Sequence, residues 1–214
     1  MVDLEKLQRD LEPLSHSTEG IDLVRGCCRS LNGTEARMAV WNKTNAIVRS
    51  PIQPDDVQRL GFDKPEDLFI LLQGDIVRTE SAYFMGEQIL GRVKYAVLNS
   101  SCDLVPGRSC YSLLLRIAEI RRSDPKAKAK LGELVKFSRN DAMYIPKFRD
   151  DAADVVGNEI QFDGVCQIAN NDLLLANRVA SLSLIGWRIF ASFVRLVLAR
   201  ANPREAEIRA AAQA

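Results

Sequence analysis

The residues that usually carry hydrolytic chemistry are scarce in this sequence, and the charged ones are not. His16 is the only histidine, and it sits in Ser15-His16-Ser17-Thr18, which reads as a polar loop before a helix cap. One imidazole in a loop nearly removes Ser-His-Asp and Cys-His catalysis, multi-histidine zinc enzymes and HD-type phosphohydrolases. Any catalysis then falls to Arg, Lys, carboxylates, hydroxyls or backbone. Arg92, Lys94 and Glu119 offer one such set, with cations to meet a phosphate and a carboxylate to act as general base. The plainer reading of these three is strand-edge charge facing water.

Two further groups carry alternatives. Cys102 and Asp103 lie in a stretch dense in turn formers, where a loop between strands could contact a substrate. The competing reading is a tight turn in which Asp103 caps the backbone as an Asx-turn and Cys102 is buried. Arg121, Arg122, Lys126, Lys128, Lys130 and Lys136 form the most basic stretch, broken by Asp124 and Glu133. They could meet phosphates or form a solvated helix face. No aromatics interleave with them, so base stacking is not indicated. Gly74, Gly86 and Gly91 match neither a Walker loop nor a dinucleotide fingerprint, which argues against nucleotide hydrolysis and for no cofactor.

Composition bounds the setting. The chain has 214 residues, 47% of them hydrophobic and 27% charged, enough to bury a sizeable core in one large domain. Lys and Arg number 29 against 28 Asp and Glu, so only a local patch could favour a nucleic-acid partner. The five cysteines are Cys27, Cys28, Cys102, Cys110 and Cys166. Their odd number and the absence of any CxxC pair predict buried reduced thiols, no metal site and a cytoplasmic setting. Met1 to Lys6 does not read as a signal peptide. The apolar run Leu184 to Ala199 is short for a bilayer span of ~20 residues and is interrupted by Arg188 and Arg195, so it reads as a core helix.

The elements that must position these residues follow from pattern and punctuation. Residues 1–65 read as a helical segment: a weak helix over 2–11, and one capped by Ser17 or Thr18 and ended by Gly33. A third covers Glu35 to Val48, and a short one begins at Pro54 and stops at Gly61. Residues 66–202 read as a β-rich core. Strands are expected near 75–79, 93–98, 111–120 and 159–168, with shorter ones at 143–146 and 178–182 and a helical insertion over 125–137. Ser183 caps a last helix over 184–201 whose apolar arc is wide enough to pack on two sides, against the sheet and against another element or a second subunit. Residues 203–214 form a polar tail. The fold class is α+β, a small curled antiparallel barrel with N-terminal helices and a buried C-terminal helix.

Gly74-Asp75-Ile76-Val77, Gly86-Glu87-Gln88 and Lys94-Tyr95-Ala96-Val97-Leu98-Asn99-Ser100 occur in an order that resembles the opening of MazF/PemK-like toxins. Val165-Cys166-Gln167-Ile168, Asp172 and Arg178-Val179-Ala180-Ser181-Leu182-Ser183 are similar to that family's closing pattern. The likeness covers about residues 73–200. It implies an SH3-like barrel that usually dimerises and metal-independent cleavage of single-stranded RNA. Two departures weaken the catalytic part. Lys94 stands where the family has its catalytic strand-initial Arg, and Lys lacks the bidentate fork that Arg offers a phosphate. The family's catalytic Thr falls near Ala118 or Glu119.

The turn Ser101-Cys102-Asp103-Leu104 also resembles an uncharacterised bacterial group that carries Cys-Asp-Leu after the aliphatic strand. These features point to a barrel repurposed as a binding or regulatory module in a bacterial defence or toxin–antitoxin-like system. The alternative is an endoribonuclease with Lys94 and Glu119 catalytic and Arg92, Cys102, Asp103, Arg121 and Arg122 binding. The expected partners are a second copy or another protein through the C-terminal helix, and single-stranded RNA; no membrane is expected.

Overall fold

The computed structural model describes residues 3–61, 71–91, 93–105, 107–199 and 203–212, with only the backbone at 203 and 205–207. Four helices come first: α1 (Leu4–Leu11), α2 (Glu19–Arg29), α3 (Gly33–Trp41) and α4 (Pro54–Arg59), with strand β1 (Val48–Arg49) between α3 and α4. Then follow β2 (Ile76–Thr79), β3 (Tyr83–Phe84), β4 (Glu87–Gln88), β5 (Val93–Val97), a 3₁₀ turn at Ser101–Leu104, and β6 (Tyr111–Arg121). The chain continues through α5 (Ala127–Leu134), β7 (Ala142–Ile145), β8 (Val155–Ala169), α6 (Asn170–Leu175), β9 (Asn177–Leu182), α7 (Leu184–Leu198) and α8 (Pro203–Ala211).

The strands form one antiparallel sheet in the order β1-β9-β2-β5-β6-β8-β3-β4, with β7 on β8. The sheet has two ends among the described residues, so it is open where a closed small barrel was expected. Part of the reason lies in β8. Leu115 pairs with Val165 but Ile117 pairs with Ile160, so residues 161–164 bulge out opposite Arg116. A bulge of this kind bends the strand. Beyond it β8 pairs with β3 at Gln167, and up to its first residue with β7 over residues 158–161. One strand therefore serves two separate neighbours on the same side.

Both faces of the central strands are buried, which is why they read as continuous apolar runs rather than alternating ones. Ile76, Ala96, Leu115 and Ile117 face the larger core, shared with α1, α2, α3, α5 and α7. Val77, Tyr95, Val97 and Leu114 face a smaller one closed by Leu104 and Leu173. Helix α7 lies in the larger core, with Ile189, Phe190 and Phe193 fully buried. Phe193 stacks on Phe162 at 5.3 Å. The Ser183 side chain caps α7 by accepting the Gly186 N–H. Its wide apolar arc is covered from within the chain, by α1 and α2 on one side and by β8 and β9 on the other.

Three expected boundaries shift. Gly33, expected to end α2, opens α3 instead with φ +84°. The helix expected to reach Val48 stops at Trp41, where Asn42, Thr44 and Asn45 follow, and Asn45 adopts φ +63°. The tail is helical over Pro203–Ala211. The boundary placed at 65/66 lies outside the described residues.

Candidate functional site

Antiparallel pairing sets Lys94 on β5 opposite Arg78 on β2 and Ile117 on β6. Two residues along β6 from Ile117, Glu119 shares that face, because side chains alternate across a strand. The expected pair is thereby brought together: Lys94 Nζ lies 3.8 Å from Glu119 Oε1. Facing cations at Lys94 and Arg78 would repel each other, and the turn after β7 supplies the compensation. Asp150 pairs with Arg78 and approaches Lys94 at 3.8 Å. Asp151, whose side chain is wholly shielded from solvent, forms a direct ion pair with Lys94.

That turn acts as a lid. Asp151 Oδ2 accepts the Phe148 N–H at 2.7 Å and the Asn158 Nδ2–H at 2.8 Å, which fixes the carboxylate. The Phe148 ring stands 5.3 Å from Lys94 Nζ, a distance at which an ammonium is attracted to the aromatic face. Lys94 itself is 6% exposed. Three carboxylates, Glu119, Asp150 and Asp151, surround its ammonium, so its charge is compensated before any phosphate arrives. Glu119 is also engaged on its other oxygen, where Arg121 donates at 2.5 Å. Arg121 in turn reaches Asp154 at 3.2 Å.

The remaining expected residues lie apart. Arg92 is outside the described residues. Cys102 and Asp103 are both exposed, so the buried-thiol expectation fails for Cys102, and for Cys110 as well. The Asp103 carboxylate makes no hydrogen bond among the described residues, so the Asx-turn is not formed. The turn is fixed instead by Ser101, whose Oγ accepts the Gln73 N–H at 3.0 Å. Arg122 is exposed, and among the described residues it ties back through its backbone N–H to Asp154 O. The basic stretch is partly neutralised: Lys130 meets the buried Glu159 at 2.5 Å. Burial places Cys28 in the core as expected and pushes its thiol up to about 12.

Gly74 and Asp75 turn out to organise structure. A Cβ at Gly74 would lie 2.5 Å from Leu182, and its φ is +83°. Asp75 is 1% exposed and accepts from Ser181 Oγ at 2.6 Å and Leu72 N at 3.0 Å. Arg178 Nε lies 3.3 Å away. Burial raises the Asp75 carboxyl above its ordinary range, against the pull of Arg178. This knot fastens β2 to β9 and forms one wall of a cavity of about 410 Å³, which His16, Arg49, Ser101 and Trp187 also line. His16 meets Trp187 edge-on at 5.2 Å, and the Trp187 indole donates to Gln73 Oε1 at 3.2 Å.

Sequence reasoning did not find Asp150 and Asp151, which reach Lys94 from a turn, or Asn158 on β8, which holds Asp151. It also did not find a groove of about 510 Å³ flanked by the exposed Tyr83, Met85 and Tyr111. Among the described residues no group of His, Cys, Asp and Glu could hold a metal ion, and no helix is long and apolar enough to cross a membrane. In comparisons with known proteins, no family model, no curated protein and no solved structure matches the chain.

Proposed function

We propose that the chain is a binding or regulatory module on a MazF/PemK-like plan rather than a ribonuclease acting through Lys94. The observation that carries this reading is the pairing of Lys94 with a fully shielded Asp151 beneath the Phe148 lid. A cation that stabilises a phosphorane must present its charge where the negative charge develops. Here the ammonium is already spent on a carboxylate, and Asp150 and Glu119 stand beside it. Glu119, held by Arg121, is equally committed and makes a poor general base.

On this reading strands β9-β2-β5-β6-β8 correspond to the family's curled barrel, while β1, β3–β4 and β7 are additions around it. Contact with a partner through α7 would be limited to residues such as Leu184 and Leu198, which remain exposed.

The test is incubation of a labelled single-stranded RNA with the purified protein in EDTA, beside Lys94→Ala. The expected result is intact RNA in both. Cleavage by the wild type that disappears in Lys94→Ala would overturn the reading in favour of a metal-independent endoribonuclease.

A further inference from the structure

A second cluster of charge lies where α2, α3 and the segment after α5 meet. A cleft of about 520 Å³ is lined by Arg25, Arg29, Arg37, Lys136, Cys28 and Ser138. Four of these six residues are cations and none is a carboxylate, in a chain whose net charge is only +1. The concentration of one sign in a concave site focuses its field on an incoming anion.

Two of the four cations are held chiefly by backbone and amide oxygens. Arg37 donates from Nε to Cys28 O at 2.9 Å and from Nη2 to Leu31 O at 2.5 Å. Arg25 donates to Phe137 O at 2.7 Å and to Asn140 Oδ1 at 2.6 Å. One carboxylate approaches, Asp22 at 3.4 Å from Arg25, and it is 72% exposed at the rim. Arg29 and Lys136 are exposed, and their side chains make no polar contact among the described residues. Two held guanidiniums and two exposed cations thus surround a space whose lining holds no carboxylate. The walls hold no exposed aromatic ring on which a base could stack, so the recognisable feature of a ligand is its charge.

We propose that this cleft binds a small phosphate-dense anion, one carrying two or more phosphoryl groups. Guanidiniums match phosphoryl oxygens with paired N–H donors, and the cluster spreads its charge beyond what one orthophosphate would use. The proposal deepens the binding-module reading and rests on it, since it names the ligand class that such a module would sense.

The experiment is isothermal titration calorimetry on the full chain at fixed ionic strength. The probes are tripolyphosphate, orthophosphate and a short single-stranded RNA in separate arms. Tripolyphosphate should bind saturably and at least about tenfold more tightly than orthophosphate. Replacing both free cations, Arg29→Ala with Lys136→Ala, should weaken it by about tenfold or more and flatten its salt dependence. The thermal midpoint should hold, because neither side chain makes a polar contact. Arg49→Ala with Arg116→Ala, which removes equal charge elsewhere on the surface, should leave the affinity unchanged.

Equal binding of tripolyphosphate and orthophosphate, or equal loss in the two double variants, would overturn the proposal. So would saturable binding of the RNA alone, which would assign the cleft to a nucleic-acid backbone. None of these outcomes touches the binding-module reading, which fails only if the wild type cleaves RNA through Lys94.

Discussion

Lys94 on β5 and Asp151 in the turn after β7 form an ion pair in which the lysine side chain is 7% exposed and the aspartate side chain not at all. A buried pair is weak evidence of net stability, but breaking one by removing a single partner is costly. Lys94→Met should therefore destabilise the fold by about 3–5 kcal/mol, because it strands Asp151 beside Asp150 and Glu119. Adding Asp151→Asn should recover part of that loss, with a coupling of about 0.5–3 kcal/mol in the double-mutant cycle. Urea midpoints of the four proteins check this. Additive losses would show that the two residues are independent.

Base should loosen the fold before acid-labile groups are of concern. Burial pushes Cys28 up from 9.0 to about 12, and Tyr95 and Tyr144 up from 10.0 to about 12. Each raised value means the folded state favours the protonated form. That stability is fully present below pH 9 and is lost as pH rises towards about 12. Urea midpoints should fall steadily over that range, and Cys28→Ala should make the first part of the fall shallower. A flat profile would mean that these groups are hydrated in the fold.

Helix α7 is held by two contacts that differ in kind. Phe193 is fully buried between Phe162 and Phe137, so Phe193→Ala should cost about 3–5 kcal/mol. Gly186 lets the helix approach the backbone before β1 so closely that a Cβ would lie 2.1 Å from Ile47 O. Gly186→Ala should therefore displace the helix start and lower the thermal midpoint, although alanine is the better helix former. An unchanged midpoint in either variant would show that α7 is peripheral.

Much of this architecture was legible in the sequence for definite reasons. Strands β2, β5 and β6 bury apolar side chains on both faces, so they stand out as runs, and the Ser183 cap with a broad apolar arc marks α7. Strands β1, β3 and β4 are two residues long, too short to leave any period. The bulge in β8 depends on its partner's register, which no local pattern encodes. Lys94 and Glu119 could be grouped from the sequence as one candidate set, and strand pairing brings them to 3.8 Å. Asp151, 57 positions further on, was out of reach, and with it the finding that Lys94 is already paired. For the cationic cleft one signal existed: Arg25 and Arg29 are four apart on α2 and so share a face. Their convergence with Arg37 and Lys136 required the tertiary fold.

The most direct test of Lys94 as a sealed ion-pair partner is its reactivity towards an amine-acetylating reagent, read by peptide mass spectrometry of the folded protein. Lys126, Lys128 and Lys136 are exposed and should be modified promptly. Lys94 should stay unmodified until urea unfolds the chain, because its ammonium is both shielded and paired. Labelling of Lys94 in the native protein as fast as that of Lys128 would contradict the account, since it would show an amine presented to solvent and free to meet a substrate.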